Sequence, residues 1–193
     1  KPELILTQDL CEVCSIDLDT VRRIAADMDP SPEILSLNPH DIFDVFDDLL
    51  KVGRATGRQS EAEQAMVALR DAYWSAVDYV NPYVTGPEIL FMEWIDPVFV
   101  GGHWTPGLIE KAGGRHALNP SGARSREVSS EDILGLQPDR VIVCPCGLGL
   151  ERIEEELDVL RKAPWWNSIP AVSNGDSNAL VMVDGNAMFN RPG

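Results

Sequence analysis

Short apolar runs alternate with longer stretches of helical spacing along this chain, and that alternation predicts an α/β protein. Leu4–Gln8 (LILTQ) reads as a first strand; Leu18, Val21, Ile24 and Ala25 then recur at helical spacing. Pro30 and Pro32 break the chain before Glu33–Leu37 (EILSL), the next strand. A β-α-β unit of this kind argues for parallel pairing. Asn38 is expected to cap the following helix, with Pro39 in its first turn and Asp41 where the helix dipole favours an anion. Its apolar stripe is Ile42, Phe43, Val45, Phe46, Leu49 and Leu50, and Gly57 is a natural stop. Ser60 and Glu63 then have capping-box spacing, and helical periodicity continues to about Tyr79. A helix of that length would span about 30 Å.

After Asn81-Pro82 and Gly86-Pro87 the same grammar returns. Residues 88–94 (EILFMEW) predict a strand, and 106–111 a short helix closed by Gly113-Gly114. Ser129 or Ser130 is expected to cap another helix, followed by a buried strand at 140–144, an amphipathic helix at 150–162 and a last strand at 180–183. This divides the chain into a partial N-terminal α/β lobe (1–58), a linking helix (59–81) and a C-terminal α/β lobe (82–193). Trp74 on the long helix is expected in the core, and Trp165-Trp166 after Pro164 as a hydrophobic lock at a helix end.

Composition narrows the classes. Sixteen basic against 31 acidic residues leave a formal charge of −15, a field that repels polyanions such as nucleic acid. No apolar run approaches the ~20 residues that cross a bilayer. The opening at Lys1-Pro2-Glu3 and the stop at Arg191-Pro192-Gly193 read as cut ends of a longer chain, so that any compartment signal would precede Lys1.

Chemistry gathers after the strands, where open α/β sheets bind ligands. Gln8, Asp9, Cys11 and Cys14 follow the first strand. Glu93, Trp94, Ile95, Asp96 and Pro97, running on to Gly101-Gly102-His103-Trp104, form the end of the strand at 88–94. Cys144-Pro145-Cys146-Gly147 follows the strand at 140–144, and Asp184-Gly185-Asn186 with Phe189-Asn190-Arg191 the last. Aromatic, imidazole, thiol and amide groups of this kind line pockets for large amphipathic ligands. His103 reads equally well as a ligand contact and as a loop histidine bonded to the backbone. The cysteine pairs lack both the aromatic-Cys-Gly-Pro-Cys context of thioredoxins and zinc-knuckle spacing, so small thiols filling tight turns are the simpler reading. His40 and His116 read as structural, and Glu154-Glu155-Glu156 as a solvated helix face. Phosphate-loop, nucleophile-elbow and HExxH motifs are absent from the sequence.

As an ordered set, the strand-end motifs resemble those of the BtuF-like substrate-binding proteins, the cobalamin and iron–siderophore receptors of ABC importers, over nearly the whole chain. The resemblance implies a class III periplasmic binding protein: two Rossmann-like lobes joined by a long helix, with the first lobe and the C-terminus truncated here. It implies a ligand between the lobes, contacted by Trp94, Phe99, His103, Trp104, Asn186, Phe189 and Arg191 from one side and by Gln8, Asp9 and Cys11 from the other. It further implies docking to an ABC permease and its ATPase through Glu131, with Asp17 or Asp19 as the counterpart on the first lobe. A cell-envelope location follows, with membrane contact only through the permease or a lipid anchor. The expected ligand is cobalamin or a related corrinoid, transported and not chemically altered, with no catalytic residue, resident cofactor or metal. Haem or a ferric siderophore is the alternative cargo. Tetrapyrrole metallochelatases share the general architecture and are the enzymatic alternative, with His103 as a metal-handling base.

Overall fold

The computed structural model describes residues 1–8 and 16–190, with Phe189 and Asn190 described by backbone only. The chain forms two compact units, Lys1–Tyr79 and Val80–Gly193.

In the first unit, β1 (Leu4–Gln8) pairs in parallel with β2 (Glu33–Leu37), from Leu4 opposite Glu33 to Gln8 opposite Leu37. Helix α1 (Leu18–Ala26) makes the crossover and is capped by Asp17, whose carboxylate accepts from the Thr20 N–H at 2.8 Å. Helix α2 (Ile42–Ala55) is capped by Asp41 rather than Asn38. The reason is reciprocity: Asp41 accepts from the N–H groups of Phe43 and Asp44, and the Asp44 carboxylate accepts in return from Asp41 N–H. Thr56 closes α2, and Gly57 follows with φ +69°, the left-handed conformation that stops a helix.

Helix α3 (Gln59–Val77) is one unbroken helix of 19 residues. Its start differs from the sequence expectation. The cap position is Arg58, without a side-chain cap, and Ser60 already lies inside the first turn. Glu63 therefore accepts from the Gln59 amide at 2.8 Å and closes no capping box. Helices α2 and α3 cross closely because Gly53 has no side chain: a Cβ there would collide with the Ala62 Cβ. Tyr73 meets the Phe43 and Phe46 rings edge-on, at 5.6 and 6.4 Å. Trp74, one position further round, is 43% exposed and not a core residue. Consecutive helical positions point about 100° apart, so Trp74 reaches α2 only at the edge of this cluster, its ring 6.3 Å from that of Phe43.

The second unit is a mixed five-stranded sheet in the order β5-β4-β3-β6-β7. Strand β3 (Ile89–Trp94) is central. It pairs in parallel with β6 (Arg140–Val143), which pairs in parallel with β7 (Leu180–Met182). On its other side run two-residue strands, β4 (Phe99–Val100) and β5 (Arg126–Glu127), each antiparallel to its neighbour. They escaped the sequence reading because two residues show no periodicity. The unit also contains α4 (Thr105–Lys111), α5 (Ser130–Leu136), α6 (Leu150–Arg161), a 3-10 turn at Trp166–Ser168, α7 (Pro170–Ser173) and a π turn at Asn186–Asn190.

Alternation along β3 builds two layers. Leu90 and Met92 join Val141, Val143, Ile133, Ile153 and Leu157 in the larger core. Ile89 and Phe91 face the other way, with Ile109 of α4 and Cys144. Trp166 is buried and meets Trp165 edge-on at 5.7 Å, the lock expected after α6. Ser129 caps α5 reciprocally with Asp132. On α6, Arg152 and Arg161 pair with Glu154, Glu155, Glu156 and Asp158, so the acidic run is a solvated, ion-paired face. Among the described residues no helix is long and apolar enough to cross a membrane.

Gly53 sets up a test of the first unit. Alanine in a helix interior is favoured over glycine by about 1 kcal/mol, whereas overpacking a close contact costs ~1–3 kcal/mol. Gly53→Ala should therefore lower stability by up to about 2 kcal/mol in urea unfolding followed by helical circular dichroism. A gain in stability would mean that α2 and α3 do not approach this closely.

Candidate functional site

The residues singled out from the sequence in the second unit collect around the carboxyl end of β3. Trp94 closes that strand, is 41% exposed, and lies opposite half-buried Phe99 across the β3–β4 ladder. Its indole N–H donates to the Asp96 carbonyl at 3.2 Å, within the turn containing the cis Asp96-Pro97 bond.

Because β4 runs antiparallel to β3, the chain turns back and carries Gly101-Gly102-His103-Trp104 over the face of the sheet rather than beyond its edge. Gly102 passes so close to Arg124 and Ser125 that a Cβ would strike their backbone. His103 has φ +53°, a left-handed conformation that costs a non-glycine residue roughly 1–2 kcal/mol. It is held there from both sides: its N–H donates to the Ala123 carbonyl at 2.6 Å, and its carbonyl accepts from Gly122 N–H at 2.8 Å. The Asn119 amide, itself buried, donates to the carbonyls of Gly101 and Arg124. The outcome is a fixed aromatic pair, the His103 and Trp104 rings, with centroids 5.9 Å apart. Backbone strain retained by surrounding contacts is characteristic of functional sites.

Glu93 joins these pieces. Its Oε2 accepts from the Ser125 hydroxyl at 2.8 Å and, more weakly, from Gly102 N–H at 3.4 Å. Its main-chain carbonyl accepts from Cys146 N–H at 3.2 Å, which ties β3 to the turn after β6. Burial pushes the Glu93 carboxyl above the ordinary glutamate range, and the Ser125 and Gly102 donors oppose that shift in part. Sequence reading placed Glu93 in the strand-end motif but not among the ligand-contact residues. The one local signal is an acidic side chain inside an otherwise apolar strand; Ser125 and Asn119 carry no local signal at all.

The turn after β6 is held just as firmly. A Cβ on Gly185 would strike the Pro145 carbonyl, and Gly185 N–H donates to Leu148 at 2.9 Å. With its amide oriented so that both ends find partners, Asn186 donates to the Gly147 carbonyl and accepts from Gly149 N–H, each at 3.2 Å. Asn186 thus clasps this turn. Asp184 accepts from the N–H groups of Asn186 and Ala187 and organises the π turn. Cys144 is fully buried, and its thiol is pushed up to about 12, mainly by burial and then by the nearby Glu93, Cys146 and Asp184. Such a thiol is a poor nucleophile near neutral pH. Among the described residues, no three His, Cys, Asp or Glu side chains are grouped to hold a metal ion.

The remaining expected site residues lie elsewhere. Gln8 is an exposed residue at the end of β1 in the first unit. Asp9, Cys11, Cys14 and Arg191 lie outside the described residues, and so does the side chain of Phe189. Glu131 is exposed in the first turn of α5, where Asp132 performs the capping. His116 is structural as expected: it is buried, with Nδ1 3.0 Å from the Ile89 carbonyl. A polar depression of about 290 Å³, lined by Asp139, Arg140 and Asp176, sits at the amino ends of β6 and β7, away from the aromatic pair.

A mixed sheet with a strained, aromatic-bearing turn packed against its central strand is an architecture able to hold a ligand. A family profile described as "Periplasmic binding protein" matches residues 28–177, and the chain belongs to that family. Solved structures share the fold. An ABC transporter substrate-binding protein from Listeria monocytogenes is 18% identical with a TM-score of 0.76, over 96% of this chain and 68% of its own. The periplasmic haem-binding protein RhuT from Roseiflexus is 20% identical with a TM-score of 0.74, over 96% and 68%. The triscatecholate siderophore-binding protein FeuA from Bacillus subtilis is 14% identical with a TM-score of 0.69, over 95% and 63%. Comparison with curated protein sequences gives no match.

The buried thiol yields a direct check. With Cys144 pushed up to about 12, its thiolate fraction near pH ~8 is on the order of one in ten thousand. Iodoacetamide labelling at that pH, mapped by mass spectrometry, should leave Cys144 unmodified until the protein is unfolded. Rapid labelling of Cys144 in the native protein would contradict the burial.

Proposed function

We propose that this chain is part of the substrate-binding component of an ABC importer and that its cargo is cobalamin or a related corrinoid. The observation that carries the proposal is the aromatic pair at His103 and Trp104, held in a strained turn. A corrin is broad and partly apolar and takes up flat aromatic surface of this kind. Its side arms are uncharged amides, which suits surroundings where Glu93, Asp96 and Asp184 concentrate negative charge on a chain of formal charge −15. A polyanionic chelate meets repulsion in the same field. Transport leaves the ligand chemically unchanged, and the described residues of the site offer binding surfaces. Asp9, Cys11, Phe189 and Arg191 belong to the proposed site by resemblance.

Haem or a ferric siderophore is the second reading. It is favoured by the His103 imidazole, able to ligate iron, and by structural neighbours whose names record haem and siderophore binding. A metallochelatase would also use that imidazole, and metal-insertion turnover tests it. A place in the cell envelope, next to the permease and its ATPase, belongs to the same proposal.

Titration of the protein carrying this chain with cobalamin, followed by absorbance or calorimetry, decides between the cargoes. Saturable corrinoid binding is expected. Trp104→Ala should weaken it by about 2 kcal/mol or more, a factor of roughly thirty, because a buried aromatic anchor carries a large share of contact energy. Tight binding of haem or a ferric chelate with no response to corrinoid would replace the first reading by the second.

Glu131 makes the importer part of the proposal testable. It is exposed and is not used in capping α5, so it is available to pair with a permease arginine. Glu131→Arg should abolish most transport while leaving ligand affinity unchanged, since a rim charge acts on the partner rather than on the cargo. Undiminished transport would remove Glu131 from the docking surface.

A further inference from the structure

From the convergence of two loop segments on one carboxyl group, we infer that Glu93 is the positioning residue of this site: it holds the His103-Trp104 turn in register with the end of β3. The functional consequence rests on the reading of that turn as a ligand wall; the positioning itself does not.

Glu93 follows Phe91 on the sheet face covered by α4, and it is the one charged residue of β3. An apolar side chain would suit that half-buried place if only packing mattered. Instead, Oε2 takes the Ser125 hydroxyl at 2.8 Å and leans on Gly102 N–H at 3.4 Å, so one atom bridges the chain entering the aromatic turn and the 119–125 loop that lies after α4. Ser125 follows Arg124, whose carbonyl receives the Asn119 amide, and Asn119 also holds the Gly101 carbonyl. His103 is gripped by Gly122 and Ala123 of the same loop. The contacts form a closed circuit from β3 through Ser125 to the 119–125 loop, on to His103, and back through Gly102. Glu93 ties the circuit to the central strand by its side chain, alongside the main-chain bond from Gly101 N–H to the Phe91 carbonyl at 3.1 Å. Without the Glu93 carboxyl, the left-handed His103 would keep its loop partners but lose its side-chain tie to the end of β3. The charge also has a use: a buried acceptor bonds most strongly when ionised, and the cost of burying it is met by two donors that have few other partners.

The test uses ligand-free protein labelled with fluorotryptophan, so its outcome is separate from the corrinoid assignment. Fluorine NMR gives a line for each of the five tryptophans, and Trp104→Phe assigns the Trp104 line. Glu93→Ala should shift or split the Trp104 line while leaving that of Trp166, buried in the other core layer, in place. Ser125→Ala, a milder change that keeps the carboxyl, should move the Trp104 line in the same sense. Glu93→Gln keeps an acceptor oxygen and should restore the native line. An unmoved Trp104 line in both the Glu93→Ala and Ser125→Ala proteins would overturn the inference. So would Trp104 and Trp166 lines that move together, which would reveal general loosening instead of local positioning. A shifted Trp104 line in a protein that ignores corrinoids would discard the cargo and keep Glu93 as the positioning residue.

Discussion

Strand β3 has to be buried on both faces and bonded on both edges, and the rest of the second unit follows from that constraint. A central strand leaves no backbone N–H or C=O to water, so its neighbours must supply partners along its whole length. Strand β6 does so in parallel on one side. On the other, β4 returns antiparallel after the Asp96-Pro97 turn, with a register irregularity between Met92 and Trp94. Bulges of this kind re-aim side chains where pairing ends. Here the chain leaves β4 over the sheet face, and the aromatic turn comes to rest against Glu93.

Burial then decides the chemistry. In surroundings where ionisation is costly, Cys144 stays a thiol and serves as a small apolar filler beside Phe91 and Ile109. Glu93, in nearly the same place, differs because it has donors within reach. Two titratable groups a short distance apart thus take opposite parts, one packing and the other bonding, and hydrogen-bond supply separates them. Glycine makes the same region possible sterically. Gly102 and Gly185 lie where two backbones approach more closely than any side chain allows.

The first unit rests on a different balance. Its two strands offer little sheet, and its order comes from capped helices and an aromatic cluster of Phe43, Phe46, Tyr73 and Trp74. Helix α3 buries Ala62 and half-buries Met66, Tyr73 and Val77, while Leu69 and Trp74 stay exposed. An apolar stripe in sequence is therefore not the same thing as a buried face; what is buried depends on which neighbours are at hand.

Local physics was legible from the sequence alone. Strands at Leu4–Gln8 and Glu33–Leu37, the unbroken long helix, the parallel core strands and the lock at Trp165-Trp166 all follow from spacing, turn residues and β-propensity, which act over a few neighbours. The strand-end motifs also pointed to Trp94, His103 and Trp104. Helix starts were misplaced where competing caps lay close together, as with Asn38 against Asp41 and Ser60 against Arg58, because reciprocal bonding is settled only when both partners are in place. What tertiary structure alone decided were relations across long separations: Glu93 with Ser125, Asn119 with Gly101, Asn186 with Gly147, and the left-handed turn at His103. Such bonds depend on the sheet order that brings distant turns together, and no local periodicity encodes which turn will lie beside which.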